Sequence, residues 1–389
     1  MVDLKKEIKF SDLVPRRKSK AGGAKLKSTG SGRTHRPTKR ELVGLKVGAS
    51  QLAAARIMNN GSANLLQLAR GPLAPGIVVG GEVRDVPALA RALDSFFEEH
   101  KLPRRGIRLG LATNRIGVRA FDVDGIGDEK QLANAIRFRA HEAVSIPIDE
   151  AVLDYHVVNE SLDATGAISR RILLAAAYRE SIDRYIEAAR AAKIELYGID
   201  LEAFALLRAV GASSPVTDQP ARAIVAVSLG HDRSTLAISD GSVCEFTRVL
   251  EWGGGKLETA IAFDLGVTPD EAIELKIAAS LAPDAHAESN DPRMPAVRAA
   301  IVRELEKLSR ELVASLQFYQ SQPGSLAISE ILVSGGTSRL PGLPGELERL
   351  TRVGVRPVDP LGQVRATRDL QSRDDLASLT IAVGLGVEA

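Results

Sequence analysis

The sequence predicts a duplicated α/β fold with an inserted α+β subdomain and a basic N-terminal arm. Three observations support this prediction: a strand-and-turn pattern that occurs twice, a ββα-rich stretch between the copies, and a concentration of positive charge in the first forty residues. A length of 389 residues, at roughly 150 residues per domain, suggests two to three domains. The content of 44% hydrophobic and 26% charged residues is typical of a soluble globular protein.

The duplicated pattern occupies 42–70 and 223–249. Each copy reads as a strand, a glycine-containing turn, a second strand, another turn and a third strand. Because an internal repeat indicates two similar structural units, we expect two related halves. The first half is expected over 41–103 and 194–212. The second is expected over 213–389, with a helical subdomain near 257–325 where apolar residues recur at helical spacing.

The stretch 104–193 is expected to form the inserted α+β subdomain. It reads as a strand pair and a helix, followed by two strands and a second helix. Strands and helices alternating over about 90 residues are enough for one small packed unit.

The N-terminal arm, residues 1–40, carries 13 Lys and Arg residues against 3 Asp and Glu. The rest of the chain carries 38 and 46, so a charge of +10 on the arm faces −8 on the body. A basic segment of low complexity has little apolar surface to bury, and we expect it to be disordered. It is either a solvated tail or an electrostatic tether to an anionic membrane surface or an acidic partner.

Several classes of protein are excluded by composition. The single cysteine, Cys244, excludes an intramolecular disulfide and a multi-cysteine metal site. The six histidines show no zinc-ligand spacing, and we predict no catalytic and no metal-ligating residue. No apolar run is long enough for a transmembrane helix, and none follows the basic N-terminus as in a signal peptide. These features indicate a cytoplasmic protein.

Three glycine turns stand in an informative order along the chain. Gly48 and Gly230 end the first strands of the two copies, and the pair Gly335-Gly336 ends a later strand. Glycine lets backbone amides approach a phosphate without obstruction by a Cβ atom. Two such hairpin turns can hold the phosphates of a nucleotide, and the third can accommodate the adenine.

On these segments the chain resembles the PilM family of type IV pilus assembly proteins, relatives of the division protein FtsA. The matching segments include 44–50, 76–82, 146–155, 198–205, 226–230 and 332–343, and the resemblance covers about 41–389. It implies the duplicated actin-like (ribonuclease H-like) ATPase fold. It also implies a cytoplasmic, ATP-binding scaffold of a pilus assembly machine, peripheral at the inner face of the cell membrane. The implied partner is the N-terminal peptide of a PilN-like inner-membrane protein.

The glycine turns, their neighbouring residues and the resemblance together predict a set of cofactor-binding residues, with ATP as the ligand. They are Lys46, Gly48, Ala49, Ser50, Gly230, His231, Gly254, Lys276, Gly335, Gly336 and Thr337.

The chain departs from the family pattern at four positions, two of them in the phosphate loops. Lys46 and Ser228 stand where the family has the aspartates that hold the water shell of Mg²⁺, and Ala53 replaces a lysine. A family E-x-x-K pair falls on Ile273 and Lys276, without its Glu. These departures predict weak or vestigial ATP binding, argue against a Mg²⁺ site and predict no efficient ATPase. Alternatively, Lys46 supplies positive charge in place of a lost metal.

Two other functions of the same fold stay open. One is an active ATPase in which other carboxylates replace the missing aspartates. The other is an FtsA-like division protein, although such chains end in an amphipathic membrane helix, and this one ends at Glu388-Ala389 after its closing helix. Self-association and a peripheral membrane contact through the arm are further expectations. Specific nucleic-acid binding is not expected, because the body has no basic, aromatic-containing motif.

Overall fold

The computed structural model describes residues 40–144, 146–162, 166–211, 222–241, 243–282, 291–322 and 324–388. The predicted arm lies outside the described residues except for Arg40, and so does most of the predicted linker at 211–215. Arg40 is the first residue of a strand, and its guanidinium donates a 2.8 Å hydrogen bond to the Tyr197 hydroxyl. The expected boundary between arm and body therefore moves to residue 39.

The strands, in chain order, are β1 (Arg40–Val47), β2 (Gln51–Asn59), β3 (Ala63–Pro72), β4 (Val78–Val79), β5 (Glu82–Val83), β6 (Ile107–Leu111), β7 (Ile116–Asp124), β8 (Ala151–Leu162), β9 (Ile168–Tyr178), β10 (Leu196–Leu201), β11 (Ala223–Leu229), β12 (Ser234–Ser239), β13 (Cys244–Leu250), β14 (Ile328–Ser334) and β15 (Val355–Pro357). The helices are α1 (Val86–Glu99), α2 (Glu129–Ala143), α3 (Arg179–Ala191), α4 (Glu202–Val210), α5 (Gly254–Leu265), α6 (Pro269–Ala278), α7 (Met294–Gln320), α8 (Leu343–Thr351), α9 (Arg368–Gln371) and α10 (Leu376–Gly386).

Two five-stranded sheets share one topology. The first has the order β3-β2-β1-β6-β10 and the second has the order β13-β12-β11-β14-β15. In each sheet the first three strands form an antiparallel meander, and the last two add in parallel next to the first strand. The duplication expected from 42–70 and 223–249 is confirmed by this shared strand order.

The inserted subdomain is smaller than the expected range 104–193. A separate antiparallel sheet, β7-β9-β8, packs against α2 and forms its own core. However, β6 pairs with β1 and β10 in the first sheet, and the buried face of α3 shares the core of the first half with α1. The boundary at 104–193 was therefore too wide, and the separate sheet spans 116–178. The error arises because β6 and β7 are close in sequence and look like a hairpin, whereas β6 pairs with distant strands.

The closing helix α10 corrects the assignment of 213–389 to the second half alone. It packs on β1, β2 and α4 of the first half. The close approach depends on glycine: a Cβ atom at Gly44 would lie 2.1 Å from the Ala382 carbonyl oxygen, and one at Gly384 would lie 1.8 Å from that of Ala205. Helix and sheet therefore pack backbone to backbone, and the C-terminal segment ties the two halves together. The helices α5, α6 and α7 cover most of the expected helical subdomain near 257–325.

Candidate functional site

A cavity of about 590 Å³ lies between the two halves. Its walls combine turns from both sheets with residues of α4, α5 and α6. All eleven residues expected to bind a cofactor line it: Lys46, Gly48, Ala49, Ser50, Gly230, His231, Gly254, Lys276, Gly335, Gly336 and Thr337. Residues from distant parts of the sequence thus meet in one cleft, and their role in nucleotide binding stays a prediction.

The two hairpin turns have the same construction. In the first, the Gly48 amide donates to the Gln51 carbonyl at 2.9 Å, and in the second the Gly230 amide donates to the Arg233 carbonyl at 3.0 Å. At Gly230 a Cβ atom would lie 2.5 Å from the Arg233 carbonyl oxygen. The second turn therefore requires glycine, and the duplication extends to the turns that face the cavity.

The third turn joins the second hairpin through several contacts. Gly335 has a φ of +91°, and a Cβ atom there would lie 2.3 Å from the Leu229 carbonyl oxygen. The Thr337 hydroxyl donates to the Gly230 carbonyl at 3.0 Å, and the Gly254 amide donates to the same oxygen at 2.8 Å. These contacts hold three separate chain segments at fixed positions around the cavity.

A buried ion pair occupies the region of the first hairpin. The Lys46 Nζ lies 3.4 Å from the Glu202 Oε2, and the two side chains are only 14% and 6% exposed. Glu202 begins α4 directly after β10, at the carboxyl end of a parallel strand, where ligands commonly bind in open α/β sheets. The sequence prediction did not include Glu202 in the site, although its place after a buried strand was the available signal. Its neighbour Asp200 is occupied elsewhere, in a buried ion pair with Arg208.

The expected Glu partner of Lys276 is absent at Ile273, but a carboxylate comes from another helix. The Lys276 Nζ contacts Glu258 of α5, and the same carboxylate lies 3.9 Å from the His231 Nδ1. The sequence could not reveal this pair because 18 residues separate its members. The cavity is also lined by the apolar residues Leu257, Ile277, Leu340 and Pro341.

Asp232 and Arg233 join the second hairpin turn to the other half of the protein. Asp232 Oδ2 accepts a 2.8 Å hydrogen bond from the Gly80 amide, in the β4–β5 hairpin. The Tyr185 hydroxyl of α3 donates to the Gly81 carbonyl at 3.0 Å, and burial raises the pKa of this phenol, so it stays protonated. The β4–β5 hairpin thus lies between the cavity and α3. Sequence reasoning missed both Asp232 and Arg233.

Among the described residues, two carboxylates line the cavity, Glu202 and Asp232, and each already has a partner. Mg²⁺ prefers hard oxygen ligands, yet Lys46 places an ammonium group beside Glu202, and Asp232 already accepts from a backbone amide. Across the described ranges, no group of three or more His, Cys, Asp and Glu side chains is arranged to hold a metal ion. None of the helices within the described ranges is long and apolar enough to cross a bilayer.

A second cavity of about 650 Å³ lies between the inserted subdomain and the first half. The insert contributes Asp149 and Tyr178, and the first half contributes Val86 and the α3 residues Asp183 and Glu187. In the described part of the chain, the three carboxylates have no ion-pair partner. The lining also includes Glu150, Glu180 and the arginines Arg115, Arg179 and Arg184, so five acidic residues against three basic ones leave a net charge of −2. The Arg115 guanidinium lies 4.2 Å from the centre of the Tyr178 ring.

Two halves of one topology, joined around a cleft with three glycine turns, define a protein of the actin-like ATPase fold. Solved structures support this class. The ethanolamine utilization protein EutJ from Carboxydothermus hydrogenoformans has a TM-score of 0.53 at 13% identity, over 91% of this chain and 92% of that one. MreB 5 of Spiroplasma citri bound to AMPPNP has a TM-score of 0.51 at 11% identity, over 89% and 95%.

The family follows from two further comparisons. The profile of the family described as Type IV pilus assembly protein PilM matches residues 44–389. A solved PilM–PilN type IV pilus biogenesis complex contains a chain with a TM-score of 0.74 at 25% identity, and the match covers 90% of this chain and 98% of that one. This chain therefore belongs to the PilM family, and the resemblance seen in the sequence is confirmed.

Proposed function

We propose that this protein is a cytoplasmic scaffold of a type IV pilus assembly machine that binds the N-terminal peptide of a PilN-like inner-membrane protein. The observation that carries the proposal is the match to a PilM–PilN complex over 90% of the chain. The family match favours this interpretation over an FtsA-like division protein.

The cavity between α3 and the inserted subdomain is the proposed peptide site. Its net negative charge, with Asp149, Asp183 and Glu187 outside any ion pair in the described residues, favours a peptide with basic residues, and Val86 provides an apolar contact. An apolar peptide with Asn or Pro and a basic residue would bind with micromolar affinity, about −8 kcal/mol.

A peptide titration tests this proposal. The cytoplasmic N-terminal peptide of the PilN-like partner is titrated into the full-length protein and into Asp183→Lys. The variant should bind about five- to tenfold more weakly because the new charge repels basic peptide residues. Glu98→Lys is the control, since Glu98 is an exposed acidic residue of α1 that does not line this cavity. Equal loss in both variants would refute the peptide site, and no binding to the unmodified protein would refute the scaffold function.

We also propose that the cleft between the halves binds a nucleotide weakly and has lost efficient hydrolysis. AMPPNP bound to the similar MreB 5 supports a nucleotide as the ligand. The alternative, an active ATPase, would need a replacement carboxylate. Glu202 and Asp232 line the cleft, but Glu202 is paired with Lys46 and Asp232 accepts from the Gly80 amide. The basic arm is proposed to add a peripheral contact with the anionic inner face of the membrane.

A further inference from the structure

Arg233 is a largely buried cation with two donor atoms that lack an acceptor. Its side chain is 16% exposed, and its Nε and Nη1 atoms are buried without an acceptor. The nearest carboxylate oxygen, Asp232 Oδ2, is 3.7 Å from the Nε and already accepts from Gly80. Asp232 is therefore a counter-charge without a hydrogen bond, and buried donors that lack acceptors are costly, so this position suits an additional anionic acceptor.

A second unsatisfied group lies on the strand that leads to the same turn. Ser228 is 3% exposed, lines the cavity, and has a hydroxyl without a hydrogen-bond partner. Buried polar groups are nearly always satisfied, and an exception commonly marks the place of a ligand or water. Two unsatisfied groups on either side of one phosphate turn therefore point to the same polar ligand.

The other lysines of the cavity already have carboxylate partners. Lys46 pairs with Glu202, and Lys276 pairs with Glu258. Among the described residues, Arg233 has only the 3.7 Å contact with Asp232, and its guanidinium is a planar group of donors that matches the geometry of a phosphate group. Two other arginines line the cavity, Arg70, which lies 3.9 Å from Asp375, and Arg339.

We propose that Arg233 binds the terminal phosphate of the nucleotide in this cleft, so that binding does not depend on Mg²⁺. The inference rests on the nucleotide-binding function proposed above. The guanidinium supplies the positive charge that Mg²⁺ would otherwise supply, and the Ser228 hydroxyl donates to a phosphate oxygen. Because the contact involves the terminal phosphate, it should favour ATP over AMP.

The test is a titration of the full-length protein with a fluorescent ATP analogue, followed by competition with ATP and AMP, in excess Mg²⁺ and in EDTA. The ATP affinity of the unmodified protein should change by less than about threefold between the two conditions. Arg233→Gln should weaken the affinity for ATP at least about tenfold in EDTA, as expected for the loss of a charge-assisted hydrogen bond. Its affinity for AMP should stay within about twofold of that of the unmodified protein. Arg233→Lys should recover part of the ATP affinity.

The control variant is Arg105→Gln, because Arg105 is 87% exposed and does not line the cavity. A large loss of ATP affinity in EDTA for the unmodified protein would overturn the proposal. So would equal losses of ATP and AMP in Arg233→Gln, which would indicate a purely structural role. If Arg233→Gln does not fold, two measurements still test the proposal: the Mg²⁺ dependence of ATP binding by the unmodified protein, and the ATP affinity of Arg233→Lys. Absence of nucleotide binding in every condition would refute the nucleotide function together with this inference, whereas Mg²⁺-dependent binding would refute the inference alone.

Discussion

Replacement of Lys46 by methionine should destabilise the protein strongly, because it leaves Glu202 buried without its partner. At the observed 3.4 Å and an effective dielectric constant of about 20, the attraction between the two charges is about 5 kcal/mol. Desolvation offsets part of this attraction in the intact pair, but removal of one partner of a buried pair costs roughly 3–5 kcal/mol. We therefore expect Lys46→Met to lower the free energy of unfolding by about that amount.

Urea denaturation followed by circular dichroism measures the effect. The control is Arg105→Met, because Arg105 lies 3.3 Å from Glu195 in a pair whose side chains are 87% and 69% exposed, and its loss should cost under about 1 kcal/mol. The double variant Lys46→Met/Glu202→Gln should recover much of the lost stability, since it removes the unpaired charge. If Lys46→Met costs no more than the control, or if the double variant recovers nothing, the ion pair does not stabilise the cleft as described.

Three further predictions concern single features of the fold. Gly335→Ala should lower the free energy of unfolding in urea by more than about 1 kcal/mol, because the new Cβ would lie 2.3 Å from the Leu229 carbonyl oxygen at a positive φ. Gly345→Ala is the control and should be nearly neutral, because no atom lies within 4 Å of its new Cβ. Equal effects of the two substitutions would contradict the strained turn. Deletion of residues 1–39 should reduce binding to anionic vesicles at low salt without shifting the urea midpoint, and a large fall in the midpoint would show that the arm stabilises the body. Burial raises the pKa of the Cys244 thiol to about 12, so a thiol reagent at about pH 8 should react only after denaturation; fast reaction of the native protein would contradict the burial.

The sequence predicts the duplicated core well because its signals are local. The strand-turn-strand pattern around Gly48 and Gly230 depends on neighbouring residues, and both hairpins form where the pattern indicates. The insert boundary was wrong at β6, because the partners of a parallel strand are far away in sequence. The position of α10 was wrong for a related reason: an apolar helix does not reveal which sheet it covers.

The candidate site shows the same division between local and distant information. Glycine turns identify themselves through the residue type, and all of those expected line the cavity. The ion-pair partners of charged residues, in contrast, cannot be predicted from residue type. Glu202 is 156 positions from Lys46, and Glu258 replaces a carboxylate that the sequence pattern placed on α6. The unsatisfied guanidinium of Arg233 is visible only once the surrounding backbone is in place.

A steady-state phosphate-release assay tests the central claim most directly: the actin-like cleft is kept as a binding site and not as an efficient ATPase. The full-length protein is assayed with saturating ATP and Mg²⁺, with an EDTA sample as the reference. Because Lys46 and Ser228 stand in place of the two aspartates that would hold the water shell of Mg²⁺, and Glu202 is paired with Lys46, we predict phosphate release at the level of the EDTA sample. Sustained turnover that disappears with EDTA would contradict the claim and would show that another carboxylate, with Glu202 as the first candidate, completes a hydrolytic site.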